Sequence, residues 1–228
     1  MSAPAPTSHS SSRDPRRTST VPKRTSLLPR PSSIAIDPTA LIAQHAQLTG
    51  THPITIGPRA VLHPHSKIDS TGCVVMVGEG VVVFERARVG VADVEAQPAL
   101  VRRSSGMSAG GRDSRARGDG VVLGRNVVVE TGAVVQGAEV GEGSVVEVGA
   151  VVGRGAVVGK YCTISAASVV PPYTNLPDYT VVFSGSQKRI DKTLQQRPDI
   201  LEAKMAVHKK QLDMFRQLVA NNITKWTG

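Results

Sequence analysis

"VGEGSVVEVGAVVGRGAVVGKYCTISAASVV" runs from Val140 to Val170. An aliphatic residue returns at every sixth position: Val140, Val146, Val152, Val158, Ile164 and Val170. A helix repeats every 3.6 residues and a strand every two, so neither alone accounts for six. The same marker can be followed outward in both directions. Upstream it falls at Ile36, Ile42, Leu48, Ile56, Leu62, Ile68, Val77, Val83, Val89, Leu123, Val129 and Val135, and downstream at Leu176 and Val182. Short slips after Leu48 and Ile68 read as loops at corners. A small residue stands four positions after most markers, as at Ala40, Ala60, Gly72, Ala87, Ser144, Ala156, Cys162 and Thr180. Glycine often follows the marker directly, as at Gly78, Gly124, Gly141 and Gly159, where it is expected to relieve turn strain.

This is the hexapeptide pattern of a parallel β-helix. Each hexapeptide supplies a short strand and a tight turn, and three of them close a triangular coil. Marker side chains fill the prism and small residues fit its corners. Coils stack through backbone hydrogen bonds at about 4.8 Å. The expected fold is an all-β solenoid of roughly seven coils. Aromatic residues make up only 3% of the chain, so its core is built from valine and isoleucine.

The period divides the chain. Residues 1–33 are rich in Pro, Ser, Thr and Arg and are expected to be disordered. The β-helix is expected over 34–185, with a mobile Gly/Ser/Arg-rich insertion at about 91–120. A C-terminal extension covers 186–228. Within it Leu201, Met205, His208, Leu212, Phe215 and Val219 share one face of an amphipathic helix expected at about 198–221, opened by Pro198. That face either lies along the prism, seals an end, or docks a partner through Leu201, Met205, Leu212, Phe215 and Val219.

The formal charge of +9 sits on the appendages. Residues 1–35 hold six Lys/Arg and one acid, residues 186–228 nine and four, whereas the periodic body has seven bases and nine acids. A nucleic-acid groove built into the fold is therefore not expected. Cys73 and Cys162 make no disulfide framework, and no apolar run reaches membrane-spanning length. The N-terminus lacks a secretory core, and its prolines would break a transit-peptide helix. A cytosolic location is expected. "RRTS" (16–19), "KRTS" (23–26) and "RRSS" (102–105) suit basic-directed kinases at Ser19, Ser26 and Ser104, although such runs also arise by chance in Arg/Ser-rich segments.

Chemistry is harder to find. "GRGAVVGKY" lacks phosphate-loop spacing, and Tyr161 stands where a magnesium-binding hydroxyl would be needed. Hexapeptide acyltransferases use a histidine as general base, yet the insertion contains none. A gamma-class carbonic anhydrase gathers three histidines per zinc. The histidines here are His9, His45, His52, His63, His65 and His208, and the "HPH" pair at 63–65 stands alone in the sequence. Cys162 occupies a small-residue slot and reads as packing. No catalytic, cofactor-binding or metal residue is expected on these grounds.

Four longer blocks carry a resemblance: "ITIGPRAVLHPHSKID" (54–69), "VGEGVVVFERARV" (77–89), the repeat at 123–166, and "VVPPYTNLPDYTVVFSGSQKRI" (170–190) with the tail "QQRPDILEAKMAVHKKQLDMF". They resemble the dynactin subunit 6 family, and "VVPPYT" and "VVFSG" also resemble its sister, subunit 5. The resemblance implies a left-handed coil and a non-catalytic adaptor role in the dynactin pointed-end complex. It implies pairing with subunit 5, contact with subunit 4 and the pointed-end actin-related protein, and a cytoplasmic, cytoskeletal place in dynein-driven transport, with dynein cargo adaptors as further partners. The basic head and the insertion depart from that family's pattern. The alternative is a trimeric hexapeptide-repeat enzyme, either an acyltransferase or one resembling gamma-class carbonic anhydrase.

Overall fold

The computed structural model describes residues 31, 33–90 and 120–227. Ser19, Ser26, Ser104, nearly all of the head and the insertion lie outside the described residues. The described chain is a left-handed parallel β-helix followed by helices. Three parallel sheets form the walls, with seven parallel strands in each of two walls and six in the third. Six coils are complete, and two further strands begin a seventh.

Register is identical on all three walls, as it must be if the markers are to stack. Ile34 pairs with Ile54, Leu41 with Val61 and Gln47 with Lys67. The insertion does not disturb this order. The chain leaves the third wall at Gly90 and returns at Val121, which pairs with Val75 as though the coil had not been interrupted. The slips after Leu48 and Ile68 are corner loops, as expected. All the markers from Ile42 to Val182 are buried in one continuous core. Most small-residue slots are buried too, but Gly72 is exposed and Cys73 takes its place inside, because the loop there is longer.

The glycines that follow the markers act differently from the expectation. At Gly78 a Cβ would lie 2.7 Å from the Leu123 carbonyl oxygen, and at Gly141 2.6 Å from the Gly159 carbonyl carbon. The constraint is the approach of the next coil. The left-handed turn residue comes two positions later and is often not glycine: Arg59, Asn126, Tyr161 and Tyr179 all have φ between 54° and 60°. Its N–H donates one coil back, as Tyr161 does to the Glu142 carbonyl at 2.8 Å, Tyr179 to the Lys160 carbonyl at 2.8 Å and Arg59 to the Thr39 hydroxyl at 3.0 Å. These bonds, with Tyr161 and Tyr179 stacked at 5.6 Å, offset the steric cost of the conformation.

The chain's own C-terminal extension reaches both ends of the prism. Thr180–Phe183 turns through Ser184 and Gly185 into an antiparallel strand, Gln187–Ile190, that covers one edge of the last coil. Helix α1 (Lys192–Gln196) leads to α2 (Pro198–Leu218), shorter than the expected 198–221 because Val219 is extended. Helix α2 runs back along the second wall. Its Leu212 and Phe215 bury Leu41, Val61 and Val82. Beyond it Asn221 accepts the Ile42 N–H at 3.1 Å, and the Asn222 N–H donates to the Ile42 carbonyl at 2.7 Å. Helix α3 (Thr224–Thr227) then places Trp226, together with Ile223, against the first coil.

Packing around the axis makes a clear prediction. Val152→Asp buries a charge without a partner and should lose at least about 3 kcal/mol of stability by chemical denaturation. Val169→Thr on the exposed outer face should stay within about 0.5 kcal/mol.

Candidate functional site

The "HPH" motif does not act as one pair. His65 lies at the left-handed turn position and stacks on His45 of the preceding coil, with ring centroids 5.1 Å apart. His63 stands at the first position of the same turn and points under α2, where it is 6% exposed. Its Nδ1 lies 3.0 Å from Glu85 Oε1, so the carboxylate accepts the Nδ1 proton and leaves Nε2 as the free nitrogen. Nε2 is buried and has no hydrogen-bond partner among the described residues. Phe84 stacks on one face of the imidazole at 4.6 Å, and Phe215 of α2 meets it edge-on, also at 4.6 Å.

The β-helix builds this group from residues distant in sequence. Phe84 follows His63 by one coil and occupies the same turn position, as the pairing of Val61 with Val82 requires. Glu85 is the next residue along that turn. Sequence reading missed it because nothing local joins residues 63 and 85. The signal that could have found it is the coil length: a side chain one coil further on lies beside its equivalent.

A second histidine holds the lid. His208 Nε2 donates to the Gly80 carbonyl at 2.8 Å. Gly80 is left-handed at φ 65°, and a Cβ there would collide with Asn126 Oδ1. Burial holds the His208 imidazole below its usual range. The Gly80 carbonyl opposes that shift, and Arg59 and Lys204 add to it. Arg59 also reaches Asp213 of α2 at 3.3 Å, an exposed pair that adds little stability.

Of the residues expected to dock a partner, Leu212 and Phe215 are instead buried on the chain's own second wall, and Val219 packs against the same cluster. They are drawn inward because the outer faces of Leu41, Val61 and Val82 are apolar. Leu201 and Met205 are half-buried. Among the described residues no three His, Cys, Asp or Glu side chains converge, and Cys162 is buried with its thiol pushed up by burial. No helix of the described chain is long and apolar enough to cross a membrane.

No protein-family model and no curated protein sequence matches the chain. Solved structures do. A hexapeptide transferase family protein from Anaplasma phagocytophilum superposes with a TM-score of 0.57 at 15% identity, over 80% of this chain and 97% of that one. A putative acetyltransferase from Bacillus cereus gives 0.56 at 14% identity, over 79% and 91%. The fold is the hexapeptide-repeat β-helix. Identity this low establishes architecture and no more. The expectation of a chain without catalysis is corrected to this extent: the solved structures that share the prism are described as transferases, so the fold gives no ground for excluding an enzyme. That expectation also treated "HPH" as isolated, whereas His63 has a carboxylate partner one coil away.

The His208 geometry fixes a pH response. The folded imidazole resists protonation, so the unfolded chain gains protons first as pH falls below about 6.5. The contribution of His208 is complete above that pH and lost below it. The urea midpoint should drop between pH 7.5 and 5.5, and His208→Gln, which keeps a donor for Gly80, should flatten the drop.

Proposed function

We propose that the chain is a hexapeptide-repeat enzyme of the acyltransferase type, with His63 as proton acceptor. One observation carries the reading: a carboxylate-oriented histidine whose second nitrogen has no partner among the described residues, on a scaffold shared with transferases. A general base needs that arrangement. Glu85 fixes the tautomer and stabilises the imidazolium. Nε2 takes the proton of an acceptor hydroxyl or amine as that atom attacks an acyl carbonyl, and the proton then passes to the leaving group. Nε2 is buried and Phe215 of α2 meets the imidazole edge-on, so turnover requires α2 to lift from the second wall.

A second reading has its own support. The burial of Nε2 beneath the chain's own helix suits a part that docks into a larger assembly instead of turning over a substrate. The sequence blocks that resemble the dynactin pointed-end subunits supply the candidate assembly, with a sister β-helical subunit, subunit 4 and the actin-related protein as partners.

Release of free thiol from acetyl-coenzyme A, with a panel of amine and hydroxyl acceptors, tests the first reading. Phe215→Ala should raise the rate, and His63→Ala should lower it at least about 100-fold. Equal rates with and without His63 would overturn it. For the second reading, affinity purification from cytoplasm should recover a second β-helical subunit together with an actin-related protein, and recovery of this chain alone would count against it.

A further inference from the structure

Helix α2 presents a second apolar stripe that the prism does not use. At 100° per residue, Ile200, Val207, Met214 and Leu218 project within about 40° of one another. This stripe stands about a third of a turn away from the face that carries Leu212 and Phe215. Val207 is 65% exposed, Met214 47% and Leu218 72%, and Ile200 is half-buried. Scattered exposed apolar residues need no explanation, but three in line with a half-buried fourth, over nearly the full length of one helix, do.

Charge indicates what fits there. Lys204 borders the stripe on one side and Lys210 on the other. Lys210 is exposed and forms no ion pair among the described residues. Lys204 is half-buried with Asp191 and Glu147 near it. Residues 186–228 carry nine bases and four acids. A second copy of the chain would set basic border against basic border. We infer that this stripe docks an amphipathic helix from another protein, whose apolar face is bordered by Asp and Glu. The mode is helix against helix, with anchors spaced by one and two turns. Complementary borders would fix its direction and speed its association. The inference does not depend on acyl transfer, because His63 lies under the other face of α2.

The probe is a labelled 21-residue peptide with leucines at i, i+4, i+7 and i+11 and glutamates on both flanks, titrated with the full chain by fluorescence anisotropy. A peptide with lysine flanks is the control. The acid-flanked peptide should bind with a dissociation constant of micromolar order and weaken as salt rises. Met214→Glu should reduce binding at least about 10-fold, and the exposed Lys210→Glu, which leaves packing untouched, should shift preference toward the lysine-flanked peptide. Circular dichroism establishes that both variants keep the fold. Absence of binding, equal binding of the two peptides, or a homodimer in light scattering that Val207→Glu dissolves would each overturn the inference.

Discussion

Every coil is held to the next by backbone hydrogen bonds in one fixed register, and that register exists because the aliphatic markers must face the prism axis. A shift by one residue would turn Val152 and its neighbours outward and drive their polar flanks into the core. Corner conformations follow from the same condition. Left-handed residues such as Tyr161 sit where the wall changes direction, and their N–H groups find a carbonyl one coil back. Glycines such as Gly78 sit where successive backbones come closest. Even the long insertion obeys, because Val121 rejoins the wall opposite Val75.

A solenoid solves its core but not its ends or its outer walls. Strand edges at either end would recruit other chains. Here one C-terminal extension answers both problems in turn. Its first strand covers an edge of the last coil, α2 covers the apolar outer face of three coils, and Asn221, Asn222 and Trp226 close the first coil. By covering that outer face, α2 also encloses His63. An unpaired imidazole nitrogen buried under Phe215 costs about 1–3 kcal/mol. The docked helix is therefore held against a standing cost at one of its own contacts.

The two imidazoles beneath α2 show how a single helix can serve unlike purposes. His208 spends its Nε2 proton on a backbone carbonyl and fastens the helix. His63 keeps its Nε2 free and is oriented by Glu85. One is structural and the other has the form of a base, though both are buried to a similar degree. The partner of each nitrogen, which no composition reveals, separates them.

Much of the fold was legible because its rule is local: a six-residue period needs only neighbouring residues to be seen, and the markers from Ile42 to Val182 are the core. The amphipathic face of α2 was equally legible from spacing, including His208, Leu212 and Phe215. The candidate site was not. His63 and Glu85 meet only because the second coil is 21 residues long, as the pairing of Val61 with Val82 shows, and Phe215 reaches them only because α2 folds back along that wall. Sequence by itself determined the period, the walls and the helix. The tertiary structure decided which side chains from different coils share a turn and which face of the helix stays open, because those contacts depend on coil length and on where the chain returns.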